Sequence, residues 1–267
     1  MKNITKSSLI LALIIIVPVS YVLASSKRDD KKVIKEKSFQ ISPGKKINVE
    51  AESGDITITT WNRSEVYVKI IGNDKAADKY DFIFDATPDE ITVTADRKGG
   101  WNWFSNIHLK FEIKVPENFN INANTSGGDI KIGGVNGGIY LKTSGGDIWG
   151  DRFEGNFFAK TSGGDINLFC KNAKIEASTS GGDIDLEYTG INQGIELKTS
   201  GGDIDVKVPA DLDAKAELKT SGGDVDCNLT LNNVSKLSDS KIEANINKGG
   251  KPLIAITSGG DITVYKK

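Results

Sequence analysis

Apolar and polar residues alternate with a period of two through much of this chain. Ile139/Leu141, Ile175/Ala177 and Ile195/Leu197 are such pairs, and Ile166/Leu168, Ile184/Leu186 and Ile204/Val206 continue the pattern. Lys142, Lys160, Glu196, Lys198, Asp185 and Asp205 occupy the complementary positions. This period marks strands with one buried face and one face in water. Between successive runs the string Thr-Ser-Gly-Gly-Asp recurs, starting at Thr125, Thr143, Thr161, Thr179, Thr199, Thr220 and Thr257. Its aspartates, Asp129, Asp147, Asp165, Asp183, Asp203, Asp224 and Asp261, are spaced by 18, 18, 18, 20, 21 and 37 residues. A shortened echo stands upstream at Glu52-Ser53-Gly54-Asp55-Ile56.

A unit of two short strands and two turns cannot bury its apolar face alone, but stacked copies can. The pattern predicts an all-β, single-stranded parallel β-solenoid, β-helix-like or β-roll-like, with about 18–20 residues per coil. At roughly 4.8 Å per layer, seven coils make a column about 30 Å tall. The glycine pairs Gly127-Gly128, Gly145-Gly146, Gly163-Gly164, Gly181-Gly182, Gly201-Gly202, Gly222-Gly223 and Gly259-Gly260 are assigned to its structural turns. A tight corner with positive φ is the expected reason for them. The aspartate that follows can accept turn amides, and the threonines are expected to form a hydroxyl ladder. Cys227 falls in the inward slot of Leu168 and Leu186, with Cys170 inward three coils earlier. That separation, roughly 14 Å, is too long for a disulfide, so both read as buried free thiols.

The flanks divide the chain further. Residues 1–24 read as a signal peptide or membrane-anchor helix: Lys2 and Lys6, the apolar run Leu9 to Val17, then Val22-Leu23-Ala24. Residues 25–37 read as a charged tether, 38–120 as an irregular first part of the β domain, and 121–267 as the regular repeats. Asn73 to Lys79 suits one helical turn, and Ile242/Ala244/Ile246 suits a strand within the long interval before Asp261. Export places the chain in the periplasm, at the cell surface or outside the cell, with membrane attachment only through an uncleaved N-terminal segment.

Net charge is −2 and the pI about 5.6, which offers nothing basic enough for nucleic acid. Catalytic chemistry has few carriers. His108 is the only histidine and lies in the strand-like Ile107-His108-Leu109, away from any nucleophile turn. Cys/His metal clusters are absent from the sequence, and no cofactor is expected. Asp183/Asp185 and Asp203/Asp205 recur in register, as on a solvated face rather than in a single cleft. Asp165, Asp183 and Asp203 are weak calcium candidates, because stacked carboxylates about 4.8 Å apart repel by roughly 0.9 kcal/mol per pair in water. Trp101, Trp103 and Phe104, after Gly99-Gly100, are the candidate ligand-binding residues, suited to stack on sugars, to insert at a membrane surface or to plug an end of the core.

Phe39-Gln40-Ile41-Ser42-Pro43-Gly44, the Ser53-Gly54-Asp55-Ile56 echo, Val115-Pro116 and the serial Ser-Gly-Gly-Asp-Ile turns resemble the bacterial "putative adhesin" family over roughly residues 38–267. The resemblance implies an exported β-solenoid of unassigned function with no catalytic residues to carry over. The segment near 228–252 departs from it. The expected function is a non-enzymatic surface or envelope interaction module of adhesin-like kind, with a glycan, cell-surface or envelope protein as partner. A structural envelope scaffold without its own ligand and a carbohydrate-active enzyme on a β-helix are the alternatives.

Overall fold

The computed structural model describes residues 31–99 and 107–267. The targeting segment with its expected helix, and Trp101, Trp103 and Phe104, lie outside the described residues. Strands number in chain order. The first are β1 (Lys32–Gln40), β2 (Lys46–Ala51), β3 (Asp55–Trp61), β4 (Glu65–Gly72), β5 (Tyr80–Ala86), β6 (Glu90–Arg97) and β7 (Leu109–Pro116). One short helix, α1 (Asp74–Lys79), joins β4 to β5. The repeats supply β8 (Asn120–Thr125), β9 (Ile130–Gly133), β10 (Asn136–Lys142), β11 (Ile148–Lys160), β12 (Ile166–Lys171) and β13 (Lys174–Ser178). They continue as β14 (Ile184–Thr189), β15 (Ile195–Lys198), β16 (Ile204–Val208), β17 (Ala214–Lys219) and β18 (Val225–Cys227). Last come β19 (Leu231–Ser238), β20 (Lys241–Ile246), β21 (Pro252–Ile256) and β22 (Ile262–Lys266).

The chain is a β-solenoid with two parallel sheets on one core. The first sheet runs β5-β6-β2-β8-β10-β11-β13-β15-β21-β17-β20-β19. The second runs β1-β4-β7-β3-β9-β11-β12-β14-β16-β22-β18. Strand β11 belongs to both, because it rounds a corner without breaking. Each repeat layer is a first-sheet strand, a Ser-Gly-Gly-Asp corner and a second-sheet strand, and the β2–β3 layer turns on the shorter Ser53-Gly54-Asp55. Inward residues then stack like on like. Phe111, Ile56, Ile130, Ile148, Ile166, Ile184, Ile204, Ile262 and Val225 form one buried column. Each such side chain contributes on the order of 1.5–3 kcal/mol by leaving water. Gly150 interrupts the neighbouring column, and Phe153 fills the gap: a Cβ on Gly150 would come within 2.7 Å of that ring.

Layer order departs from chain order at both ends. The first layer in the chain, β2–β3, lies between β6–β7 and β8–β9. The last, β21–β22, lies between β15–β16 and β17–β18. The long interval before Asp261 is therefore filled by β19 and β20, and Asp261 itself sits between Asp203 and Asp224. Neither chain-terminal layer forms an open end of the stack. Antiparallel strands cover outer layers instead: β4, β1 and β5 at one end, and β20 and β19 on the first sheet at the other, where the second sheet ends on the short β18. Closing the ends this way manages the exposed backbone that a parallel stack leaves at each edge.

Several expectations change. Lys32 to Lys37, read as tether, begin β1, where lysines on an edge strand oppose further pairing. Within 38–120, β2–β3 is a regular layer rather than an irregular lead-in. The helical turn at 74–79 is present, capped by the Asn73 side chain accepting the Ala76 amide at 3.0 Å. Both cysteines are free, but Cys227 is only partly buried. The inserted β22 puts it four layers from Cys170, about 19 Å at the usual spacing.

Candidate functional site

The Ser-Gly-Gly-Asp corners join layer to layer through three repeated contacts. Each aspartate carboxylate accepts the backbone N–H of the aspartate in the next layer, from Asp55 through Asp129, Asp147, Asp165, Asp183, Asp203 and Asp261 to Asp224, at 2.8–3.2 Å. Each threonine hydroxyl donates to a glycine carbonyl one layer away, at 2.7–3.0 Å, so the expected hydroxyl-to-hydroxyl ladder is a hydroxyl-to-carbonyl one. The second glycine of each pair lets the backbones approach: a Cβ on Gly146, Gly164 or Gly182 would lie 2.1–2.2 Å from the neighbouring carbonyl oxygen. Around the first glycines, Gly145, Gly163 and Gly181, nothing comes nearer than 3.6 Å.

None of these paired glycines has positive φ. At the opposite corner Gly134, Arg152, Asn172 and Gly190 have positive φ, and in the shortened echo Gly54 does, with φ of 118°. The expected dihedral reason for the motif is thus replaced by a steric one.

Asp165, Asp183 and Asp203 stand one layer apart on this edge, each already holding an amide. Among the described residues, no group of three or more His, Cys, Asp or Glu side chains is arranged to hold a metal. On the second sheet Asp185 faces Asp205 across one strand pair. Burial, then the charges of Asp205, Asp183 and Asp165, hold the Asp185 carboxyl above its ordinary range.

The outward face of the first sheet carries a trough of about 1070 Å³. Part of one row in register, Asn48, Asn122, Tyr140, Phe158, Glu176 and Glu196, lines it, from Asn122 to Glu176, with Asn48 buried beside it. Tyr140 and Phe158 stack with ring centroids 4.6 Å apart and planes 2° from parallel. Tyr140 is 41% exposed. On its other side the row drops to short amides, which are chained: the Asn124 amide donates to Asn122 at 3.2 Å, Asn122 to Asn48 at 3.2 Å, and Asn48 to the Glu90 carboxylate. An aromatic wall therefore stands over an amide floor fixed by its own hydrogen bonds.

With the corners, layers and faces in place, the whole chain can be compared with known proteins. The Toastrack DUF4097 pattern matches twice, over residues 44–162 and 156–265. The chain belongs to the Toastrack DUF4097 family. No curated protein matches it. Solved structures similar to this Toastrack chain include a "putative cell adhesion protein" from Clostridium sporogenes, at 14% identity, 88% and 100% coverage of the two chains and TM-score 0.36. A "putative lipid binding protein" from Parabacteroides distasonis has 15% identity, 86% and 96% coverage and TM-score 0.43. A "putative adhesin" from Bacteroides fragilis has 14% identity, 90% and 99% coverage and TM-score 0.38.

Other sequence candidates fall elsewhere in the Toastrack fold. His108 precedes β7 and its carbonyl accepts the Asn73 amide. Gly99 and Ile107, which flank the undescribed residues in the sequence, lie between β6 and β7. Burial pushes the Cys170 thiol up to about 12, which removes it from thiolate chemistry. Sequence reasoning missed Tyr140 and Phe158. Their signal was present: each sits between two inward residues, in a slot that holds Glu176 and Glu196 in later layers.

Proposed function

We propose that this Toastrack chain is an exported, non-enzymatic interaction module of the bacterial surface or envelope, with the first-sheet trough as its contact face. One observation carries the reading: an outward aromatic pair, Tyr140 exposed and Phe158 half-buried, flanked in its row by the Asn122 amide and the Glu176 carboxylate. The core does not need these rings, since Ile139, Leu141, Phe157 and Ala159 already fill the inward slots beside them. Exposed aromatic surface beside ordered polar groups is the usual dress of a recognition face. The positive and apolar residues of the first 24 support export. The lone His108 and the inert Cys170 thiol support a role without chemistry. The test is binding of the purified chain to intact bacteria and envelope fractions. Retention that is lost in the Tyr140→Ala, Phe158→Ala double variant is the expected result. Equal retention by the double variant contradicts the assignment of this face.

A second reading, a stiff envelope scaffold, draws on the unbroken aspartate ladder and the closed ends. It is favoured if neither the parent chain nor the variants bind any fraction.

A further inference from the structure

We infer that the trough beside Tyr140 binds an uncharged glycan, one pyranose lying against the ring while its hydroxyls meet the asparagine floor. This rests on the trough being the contact face and adds the class of ligand.

Three observations select that class. First, the stacked pair leaves Tyr140 one face against Phe158 and turns the other toward the Asn122 and Asn48 layers. The C–H face of a pyranose packs on such a ring, where the aromatic quadrupole favours the positive edges of aliphatic C–H bonds. Second, the neighbouring groups are carboxamides. Each amide offers both a donor and an acceptor, as a hydroxyl does, and the Asn124-Asn122-Asn48-Glu90 chain fixes their orientation before any ligand arrives. A preformed polar floor lowers the ordering cost of binding.

Third, the charges nearly cancel. Lys46, Lys142 and Lys174 line the trough. Against them stand Glu50, Glu52, Asp96 and Glu176, so three cations face four carboxylates and a single net negative charge remains. A polyanion such as a phosphorylated or uronic-acid polymer finds no basic patch here, and a polycation finds no acidic one. The volume of about 1070 Å³ has room for several sugar rings in a row. The opposite face lacks this combination: Trp149 is already covered by the Lys131 ammonium at 4.0 Å and Phe169 lies under Lys267.

The test titrates the purified chain with neutral gluco-, manno- and galacto-hexaoses and, separately, with an oligogalacturonate. Calorimetry and the Tyr140 ring signals in NMR provide the readouts. Binding of at least one neutral hexaose is expected, with a dissociation constant on the order of 0.1 mM for so open a site. Tyr140→Leu keeps apolar bulk but removes the π face, and weakens binding about tenfold. Asn122→Ala weakens it as well, while Trp149→Ala on the other sheet leaves it unchanged. Circular dichroism melts confirm that each variant is folded. Preference for the oligogalacturonate, or neutral-sugar binding indifferent to both Tyr140→Leu and Asn122→Ala, overturns the inference. Silence toward every sugar, with envelope binding still lost in the Tyr140→Ala, Phe158→Ala chain, overturns the ligand class and leaves the contact face standing. Failure of both assays overturns both.

Discussion

The Ser-Gly-Gly-Asp corner and the corner opposite it turn the same chain through the same layers, yet only one of them repeats in sequence. At the first, the constraint is between layers: the backbones approach so closely that a Cβ on Gly164 would lie 2.1 Å from the Gly146 oxygen. Each repeat layer touches the next in the same way, so each repeat needs the same residue. At the second, the constraint is within a layer, a positive φ that Gly134, Arg152, Asn172 and Gly190 each supply. Glycine adopts that region freely, and other residues enter it at a cost of about 1–2 kcal/mol. Different residues therefore serve. Length varies there too: residues 172–173 turn one layer and 190–194 the next, which accounts for the step from an 18- to a 20-residue interval. A stacking contact enforces identity, and a local dihedral does not.

The largest expected effect breaks this comparison at the glycine pair. Gly164→Val should lose about 3 kcal/mol or more, or fail to fold, because the rigid carbonyl opposite cannot yield. Gly163→Ala, with its nearest neighbour at 3.7 Å, should stay within about 0.5 kcal/mol. Urea melts of the two variants settle the matter, and equal losses would restore the dihedral explanation. A positive-φ corner would place the sensitivity at Gly163 or Gly181, the first glycine of each pair. The structure moves it to the second.

A smaller effect sharpens the other side. Asn172, with φ of 50°, also accepts the Ile191 amide through its side chain at 2.9 Å. Asn172→Ala loses both features and should cost about 1–2 kcal/mol. Asn172→Gly keeps the dihedral and should recover roughly half of that in the same melts.

The smallest effect concerns the acidic row on the second sheet. The Asp185 pKa is raised in the fold, so its favourable contribution is fully present below its ordinary value of 3.8 and is lost as pH climbs through the folded value. At neutral pH the charged form opposes folding. Asp185→Asn should therefore raise the melting temperature by about 1–2 °C at pH 7, with the gain disappearing below pH 3.8. A gain independent of pH would assign it to packing instead.

Much of the fold was legible because its two rules are written in single residues. Ile166/Leu168 and Ile184/Leu186 declare a buried face, and the glycine pairs declare where layers meet. The order of the layers was not legible. Asp261 carries the same motif as Asp224, so nothing local says which stacks on Asp203. That choice is made by the β19–β20 excursion and by Asn247, whose side chain donates to the Ala210 and Leu212 carbonyls 37 and 35 residues away. The β1 edge was hidden by its lysines, which resemble a solvated tether. In the trough, Tyr140 and Phe158 could have been found as aromatic residues in outward slots. Their stacking against each other, and the amide chain beside them, depend on registers that only the layers create.

Cross-linking tests that layered register most directly, in a chain carrying Cys170→Ala and Cys227→Ala. Asp205 and Thr263 are partners on adjacent strands, whereas Asp226 lies one layer further on. The account predicts rapid disulfide formation in Asp205→Cys, Thr263→Cys and none in Asp205→Cys, Asp226→Cys, because a disulfide spans Cα atoms only within about 7 Å. Oxidation of the second pair and not the first would contradict it.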